Sequence, residues 1–325
     1  MDNYEKLRRK LDLFPIGLPK TDETMKILRL LFTEDEAGVA AHVPNPPLMF
    51  TASRIARHAG ADRRDTARML HDLAARGLMI EYRVLVENRY TLVPAVPGFL
   101  EMQFMKNADI DETRREVGRI WHRALDGEFG EENYGYPTGG ARVVPVRKSV
   151  SATQRVFSFE EVEKLIRDSG EIALTECACR KSAQKCDAPL DVCMMFNTSA
   201  KYLAARNLAE PISRRKAVKT LERAEEAGLV HTTTNTKPPV SIVCNCCPCC
   251  CATLRGVTGL NKPASTVASS FRCEPAPGAD CKLCGACEKA CPVQAVSIVE
   301  EEVRVDQERC IGCGVCVGKC PTGSL

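Results

Sequence analysis

Apolar positions recur at helical spacing over 23–33, where Met25, Leu28, Leu31 and Phe32 share one face. A loop rich in proline follows (Pro44, Pro46, Pro47). The pattern predicts a short helix over 53–58 after Thr51, stopped by Gly60. A longer helix runs from an Asp62 N-cap to Arg76 and ends at Gly77. The stretches 78–86 and 89–93 then read as two strands joined around Glu87-Asn88.

Three helices followed by a hairpin resemble a winged-helix domain, covering 1–110. Arg63, Arg64, Arg68 and Arg76 decorate the helix at the recognition position of that resemblance, but Asp62, Asp65 and Asp72 lie among them and largely cancel their field. Phosphate contact drives DNA binding, so the pattern favours a packing or protein-contact module over a nucleic-acid partner. Downstream, 111–126 is an amphipathic helix containing Trp121, and 127–140 is a glycine- and tyrosine-rich loop. A strand is expected at 141–150. Ser158 with Glu161 fits a capping box for a helix to Asp168. The segment EIALTE follows as a strand, and a helix over 213–227 leads to Leu229-Val230-His231.

The chain has 325 residues and 19 cysteines, none of them in 1–176. An odd count excludes complete disulfide pairing, and a cysteine-free half does not suit a secreted disulfide scaffold. Net charge is +1 over 1–110, +5 over 111–272 and −3 over 273–325, too even to demand nucleic acid. No apolar stretch has the ~20 residues of a membrane span. Arg8-Arg9 is not followed by an apolar signal region. The expectation is a cytoplasmic protein in a reducing compartment.

The C-terminal cysteines carry the most specific pattern. Cys281-x2-Cys284-x2-Cys287-x3-Cys291-Pro292 is repeated 29 residues later as Cys310-x2-Cys313-x2-Cys316-x3-Cys320-Pro321, with Gly285 and Gly314 in register. In such runs the fourth cysteine ligates the other cluster. The expected sets are therefore Cys281, Cys284, Cys287 and Cys320 for one [4Fe-4S] cluster, and Cys310, Cys313, Cys316 and Cys291 for the second. Each fourth cysteine is expected to begin a helix. Zinc sites use CxxC pairs, but not this doubled run with its prolines. The region resembles the dicluster bacterial-type ferredoxin domain, which implies one-electron transfer. The strand AVSIVE after Pro292 has no counterpart after Pro321, so another segment is expected to cover that edge.

Ten cysteines form a second field: Cys177, Cys179, Cys186, Cys193, Cys244, Cys246, Cys247, Cys249, Cys250 and Cys251, with Cys273 apart. Read as extended chain, Cys177 and Cys179 share a face, as do Cys244 and Cys246, while Cys247 points away. One or two additional iron–sulfur clusters are favoured over zinc and over thiol–disulfide chemistry. Arg180 and Lys181 could balance cluster charge. His231 reads as structural, with ligation as the sharper alternative. The order VVPV, IALTECACRK, KCDAPLDVC, ERAEEAGLVH, CNCCPCCCATLRG and ferredoxin repeat resembles multidomain 4Fe-4S binding proteins of anaerobic bacteria and archaea. That resemblance implies additional clusters and redox work, without a named substrate.

No GxGxxG follows a strand, no phosphate-binding GxxxxGK[ST] occurs, and none of the five histidines forms a metal-type pair. The expected fold class is α+β, with a winged-helix-like domain (1–110), a cysteine-rich iron–sulfur domain (111–272) and a dicluster ferredoxin domain (273–325). The expected function is relay of single electrons to or from a partner, a flavoenzyme or other oxidoreductase. A catalytic cluster in the central domain and a redox-sensing transcription regulator are the alternatives.

Overall fold

The structure is a computed structural model, and it describes residues 2–136, 138–146, 159–236 and 240–325. They form two compact units, 1–129 and 130–325, mixing helices and strands as an α+β protein does.

In the first unit, Asp22–Leu31 is a helix opened by a Thr21–Thr24 capping box, and Met25, Leu28 and Leu31 are buried on its inner face. Strand β1 (Phe50–Thr51) precedes the helix Ala52–Ala59, which Gly60 ends at φ +65. The helix Arg63–Ala75 starts at the Asp62 cap, whose carboxylate accepts from Arg64 and Asp65 N–H. Strands β2 (Ile80–Val84) and β3 (Glu87–Thr91) complete a three-stranded sheet in the order β1-β3-β2. The hairpin turns at Leu85-Val86, not at Glu87-Asn88: Val84 pairs with Glu87, and Leu85 takes φ 56. Polar residues that look like a turn lie in the strand, while two apolar ones form the tip, 92% and 85% exposed. Asn3–Leu11 and Glu34–Ala40 are further helices that pack on each other. The helix Glu112–Asp126 packs on Asp22–Leu31 and so belongs to this unit. The expected loop after it holds a helix, Glu128–Tyr134, whose Phe129 ring meets Trp121 edge-on at 4.8 Å.

The second unit is built on a seven-stranded sheet. Its strands are β4 (Ala141–Val144), β5 (Ile172–Glu176), β6 (Asp191–Phe196), β7 (Glu210–Pro211), β8 (Val230–Thr234), β9 (Ile242–Cys246) and β10 (Thr266–Val267). The order is β10-β4-β8-β9-β6-β5-β7, antiparallel throughout except for the β10–β4 pair. The strand expected to reach 150 is described only to Val144, and the Ser158 capping box lies outside the described residues.

Alternation along the strands gives the sheet two different faces. Val144, Leu174, Met194, Phe196 and Val243 pack under the helices Phe159–Asp168 and Arg214–Glu226 through Val162, Ile166, Ala217 and Leu221. Val143, Val230 and Cys246 lie in the opposite cluster, with Leu254, Val257, Val293, Ile311, Cys313 and Val315. The C-terminal segment thus packs on the face that the helices leave open. It contributes its own hairpin, β11 (Val296–Val299) and β12 (Glu302–Val305). Around it, Val146 N–H donates to Cys313 O at 2.9 Å, Ser269 N–H to Ile311 O at 3.1 Å and Ala276 N–H to Ser324 O at 3.0 Å. Neighbouring backbone thereby satisfies these carbonyl groups.

Glu101 provides a pH test of the first unit. Its carboxylate accepts from Gly98 N–H at 2.7 Å, and burial pushes its pKa from 4.5 up to about 7. The fold favours the protonated acid and the unfolded chain releases the proton earlier. The stabilisation is therefore full below about pH 4.5 and is lost as pH rises towards 7. Glu101→Gln keeps the acceptor and does not ionise, so its thermal melts should vary less than wild type between those pH values. Parallel melting curves would show that the carboxyl contributes no such slope.

Candidate metal centres

Strand ends deliver the central cysteines. β5 stops at Glu176, so Cys177 becomes the N-cap of the helix Ala178–Ala183 and Cys179 lies in its first turn. Lys181 N–H donates to Cys177 O at 2.9 Å. This helical turn replaces the extended segment expected there. β6 carries Cys193, and β9 carries Cys244 and Cys246 on the face opposite Val243. These thiols form a hydrogen-bonded series that pairs Cys177 with Cys193, Cys193 with Cys244, Cys244 with Cys246, Cys246 with Cys251, and Cys251 with Cys179. Six cysteines from four segments therefore converge.

Thiols packed this closely ionise unequally. Hydrogen bonds from Cys177 and Cys244 hold the buried Cys193 well below the ordinary thiol range. Those from Cys244 and Cys251 bring Cys246 down to about 6, and Thr232 Oγ1 adds a contact at 3.3 Å. Cys177 and Cys244 are pushed up, first by their bonds to Cys193.

Past Cys246 the chain changes sides. Cys247, Cys249 and Cys250 lie in a tight turn, closed by Cys251 N–H donating to Cys247 O at 3.2 Å. With Cys186, from the loop after the Ala178–Ala183 helix, their four Sγ atoms lie within 4.8 Å of one another. Val192, Ala224 and Leu229 pack around them. The ten cysteines are thus placed in two groups, one of six and one of four. The run Cys244–Cys251 feeds both.

Arg180 lies between the groups and is 1% exposed. Its Nη2 donates to Asn245 O at 2.9 Å and its Nη1 to Pro189 O, and the guanidinium also bonds Cys247. Burial opposes its charge, but Cys177, Cys247 and Cys193 hold it firmly protonated. A buried cation is tolerated where anions compensate it, and thiolates are the groups at hand. Lys181 instead pairs with Glu176 at 2.6 Å. His231, fully buried, bonds Asn245 Oδ1 through Nδ1 and Glu225 Oε1, 3.3 Å away, through Nε2. Both ring nitrogens are engaged on the helix-covered side of the sheet. His231 braces β8 against β9, where it faces Asn245 across the ladder.

The C-terminal repeat is structural as well as sequential. Gly285 and Gly314 take φ +72 and +73 as N-caps of two short helices, Ala286–Ala290 and Val315–Lys319, a conformation that favours glycine. Cys291 and Cys320 end these helices rather than beginning them. Cys281, Cys284, Cys287 and Cys320 line one cavity with Ile298 and Val303. Cys291 and Cys310 pack beside Cys316 in one cluster and beside Cys313 in another. Backbone N–H groups reach the sulfurs: Leu283 to Cys281 at 3.5 Å, Ala295 to Cys291 at 3.2 Å and Ser324 to Cys320 at 3.2 Å. Converging thiols with N–H···S bonds in apolar surroundings fit cubane ligation. Cys281 and Cys284 are exposed, whereas Cys313 and Cys316 are buried. Cys273 sits 3.5 Å from Cys316 Sγ, and its isolated place in the chain carries no signal of this.

A 4Fe-4S dicluster domain family matches residues 280–324. A component of an ion-translocating oxidoreductase complex from Methanosarcina acetivorans is 46% identical over 45 residues, 14% of this chain and 17% of that protein. An uncharacterized ferredoxin of Methanocaldococcus jannaschii is 32% identical over 82 residues, 25% of this chain and 48% of that protein. The electron transport protein HydN of Escherichia coli is 39% identical over 69 residues, 21% of this chain and 33% of that protein. The chain covers less than half the length of each of these relatives. No solved structure matches. No helix among the described residues is long and apolar enough to cross a membrane.

Replacing Arg180 tests the electrostatics of the centre. Arg180→Met removes the buried cation and leaves the thiolates uncompensated, an expected loss of about 3–5 kcal/mol. Anaerobic denaturant unfolding measures it. A loss under about 1 kcal/mol would mean that the surrounding thiols are neutral.

Spacing, paired glycine caps, converging thiols and the matched relatives agree on one point: the chain carries a C-terminal 4Fe-4S dicluster ferredoxin domain, similar to ferredoxins and electron-transport proteins.

Proposed function

We propose that the protein relays single electrons between a partner oxidoreductase, a flavoenzyme or other, and a third iron–sulfur centre in its own core. The observation that carries this reading is the shared buried cluster in which Cys244, Cys246 and Cys251 meet Cys291, Cys310 and Cys313. In this reading Cys281, Cys284, Cys287 and Cys320 hold the outer [4Fe-4S] cluster, where exposed Cys281 and Cys284 bring it to the surface. Cys310, Cys313, Cys316 and Cys291 hold the inner one. Cys177, Cys179, Cys193, Cys244, Cys246 and Cys251 supply the ligands of the third. Bound clusters supply one-electron chemistry, and the chain sets their potentials through N–H···S bonds and burial. The names of the relatives, a component of an oxidoreductase complex and an electron transport protein, support a redox partner.

The helix–strand–two-helix–hairpin order supports a winged-helix-like reading of the first unit. On its Arg63–Ala75 helix, Arg63, Arg64 and Arg68 are offset by Asp62, Asp65 and Asp72, and Arg68 pairs with Asp65. That balance favours protein contact over DNA. Cysteines that serve as metal ligands rather than disulfides favour a reducing, cytoplasmic setting. A second reading, a catalytic cluster in the central domain, rests on the six-thiol centre, which has two thiols more than a single cubane needs.

Anaerobic iron and sulfide quantitation tests the relay. Three clusters give about twelve irons per chain, and replacing Cys177, Cys193, Cys244 and Cys246 together with alanine, which leaves only Cys179 and Cys251 of that set, lowers this to about eight. About eight irons in the unaltered protein would remove the third centre. Stoichiometric reduction of a substrate by the isolated protein would favour the second reading.

A further inference from the structure

The cysteines 186, 247, 249 and 250 are too close together for a cubane. Four thiolates bound to one tetrahedral ion at ~2.3 Å have Sγ atoms about 3.8 Å apart. Thiolates on the four irons of a cubane stand about 6 Å apart. Here Cys186 Sγ is 3.8 Å from Cys247 Sγ and 3.9 Å from Cys250 Sγ, and Cys249 Sγ is 3.6 Å from Cys250 Sγ. All four lie within 4.8 Å of one another. Neither ferredoxin quartet closes to that distance among the described residues, so the contrast is internal to the molecule.

We propose that Cys186, Cys247, Cys249 and Cys250 bind a single divalent metal ion, zinc or ferrous iron, as a closed tetrathiolate site. It is separate from the proposed relay and goes beyond it. The surroundings suit such a site. Ala188 N–H bonds Cys186 and Lys185 N–H bonds Cys250, while Arg180 bonds Cys247. These donors offset the double negative charge of four thiolates on one divalent ion. Binding displaces the thiol protons and transfers no electrons. The ion ties the Cys186 loop to the turn after β9 and thereby fixes Cys246 and Cys251, which flank that turn in the six-thiol centre.

The test is metal and sulfide analysis of the full-length protein purified anaerobically, beside Cys186→Ala with Cys249→Ala. The expected result is loss of about one metal ion per chain with acid-labile sulfide unchanged. Zinc disappears from a zinc site, and one iron from a ferrous site. Loss of about four irons with four sulfides would overturn the proposal and place a cubane there. Loss of no metal would overturn it as well. Failure of the proposed third cluster reads out separately, as sulfide in the unaltered protein. If the variant does not fold, cobalt(II) introduced into the unaltered chain gives the visible bands of a tetrahedral tetrathiolate, and their absence counts against the site.

Discussion

Successive side chains of a β-strand point to opposite faces, and the cysteine chemistry of this protein depends on that constraint at β9. Cys244 and Cys246 project towards the C-terminal ferredoxin domain, and Asn245 projects towards the helices to meet His231. Where the strand ends, the tight turn carries Cys247, Cys249 and Cys250 to the other side and returns Cys251 to the first. A run that looks too dense for any one centre is divided by the backbone into two. The sheet is the partition between them, and Arg180 is the charge placed against it.

Low dielectric sharpens every charge in this region. Burying thiolates is costly unless a cation or hydrogen-bond donors accompany them. The chain supplies a buried guanidinium, backbone N–H groups and a threonine hydroxyl. Apolar side chains exclude water from the same thiols and oppose their ionisation. Val143, Val230, Leu254 and Val257 form an apolar wall behind Cys246 and Cys251, and the ferredoxin domain closes the other side.

Local signals were legible in the sequence. The Thr51 and Asp62 caps and the Gly60 and Gly77 stops depend on a few adjacent residues, and the two helices they bound stand where they indicate. The hairpin turn was not legible, because Leu85 and Val86 have no turn chemistry and Glu87-Asn88 have it in the wrong place. Helix Glu128–Tyr134 was hidden by Gly130 within it and Gly127 and Gly135 beside it, and packing of Phe129 on Trp121 supplies what propensity lacks. In the central field, the shared face of Cys244 and Cys246 followed from strand period. The grouping of Cys186 with Cys247, Cys249 and Cys250 did not, since it joins loops 61 to 64 residues apart. Cys273 was equally silent, because its neighbour Cys316 is 43 positions away.

The uneven exposure of the ferredoxin cysteines has a consequence for damage. Dioxygen and peroxide reach Cys281 and Cys284 at the surface before they reach the buried Cys313 and Cys316. Oxidation therefore falls first on these two surface thiols and leaves the interior ones chemically intact.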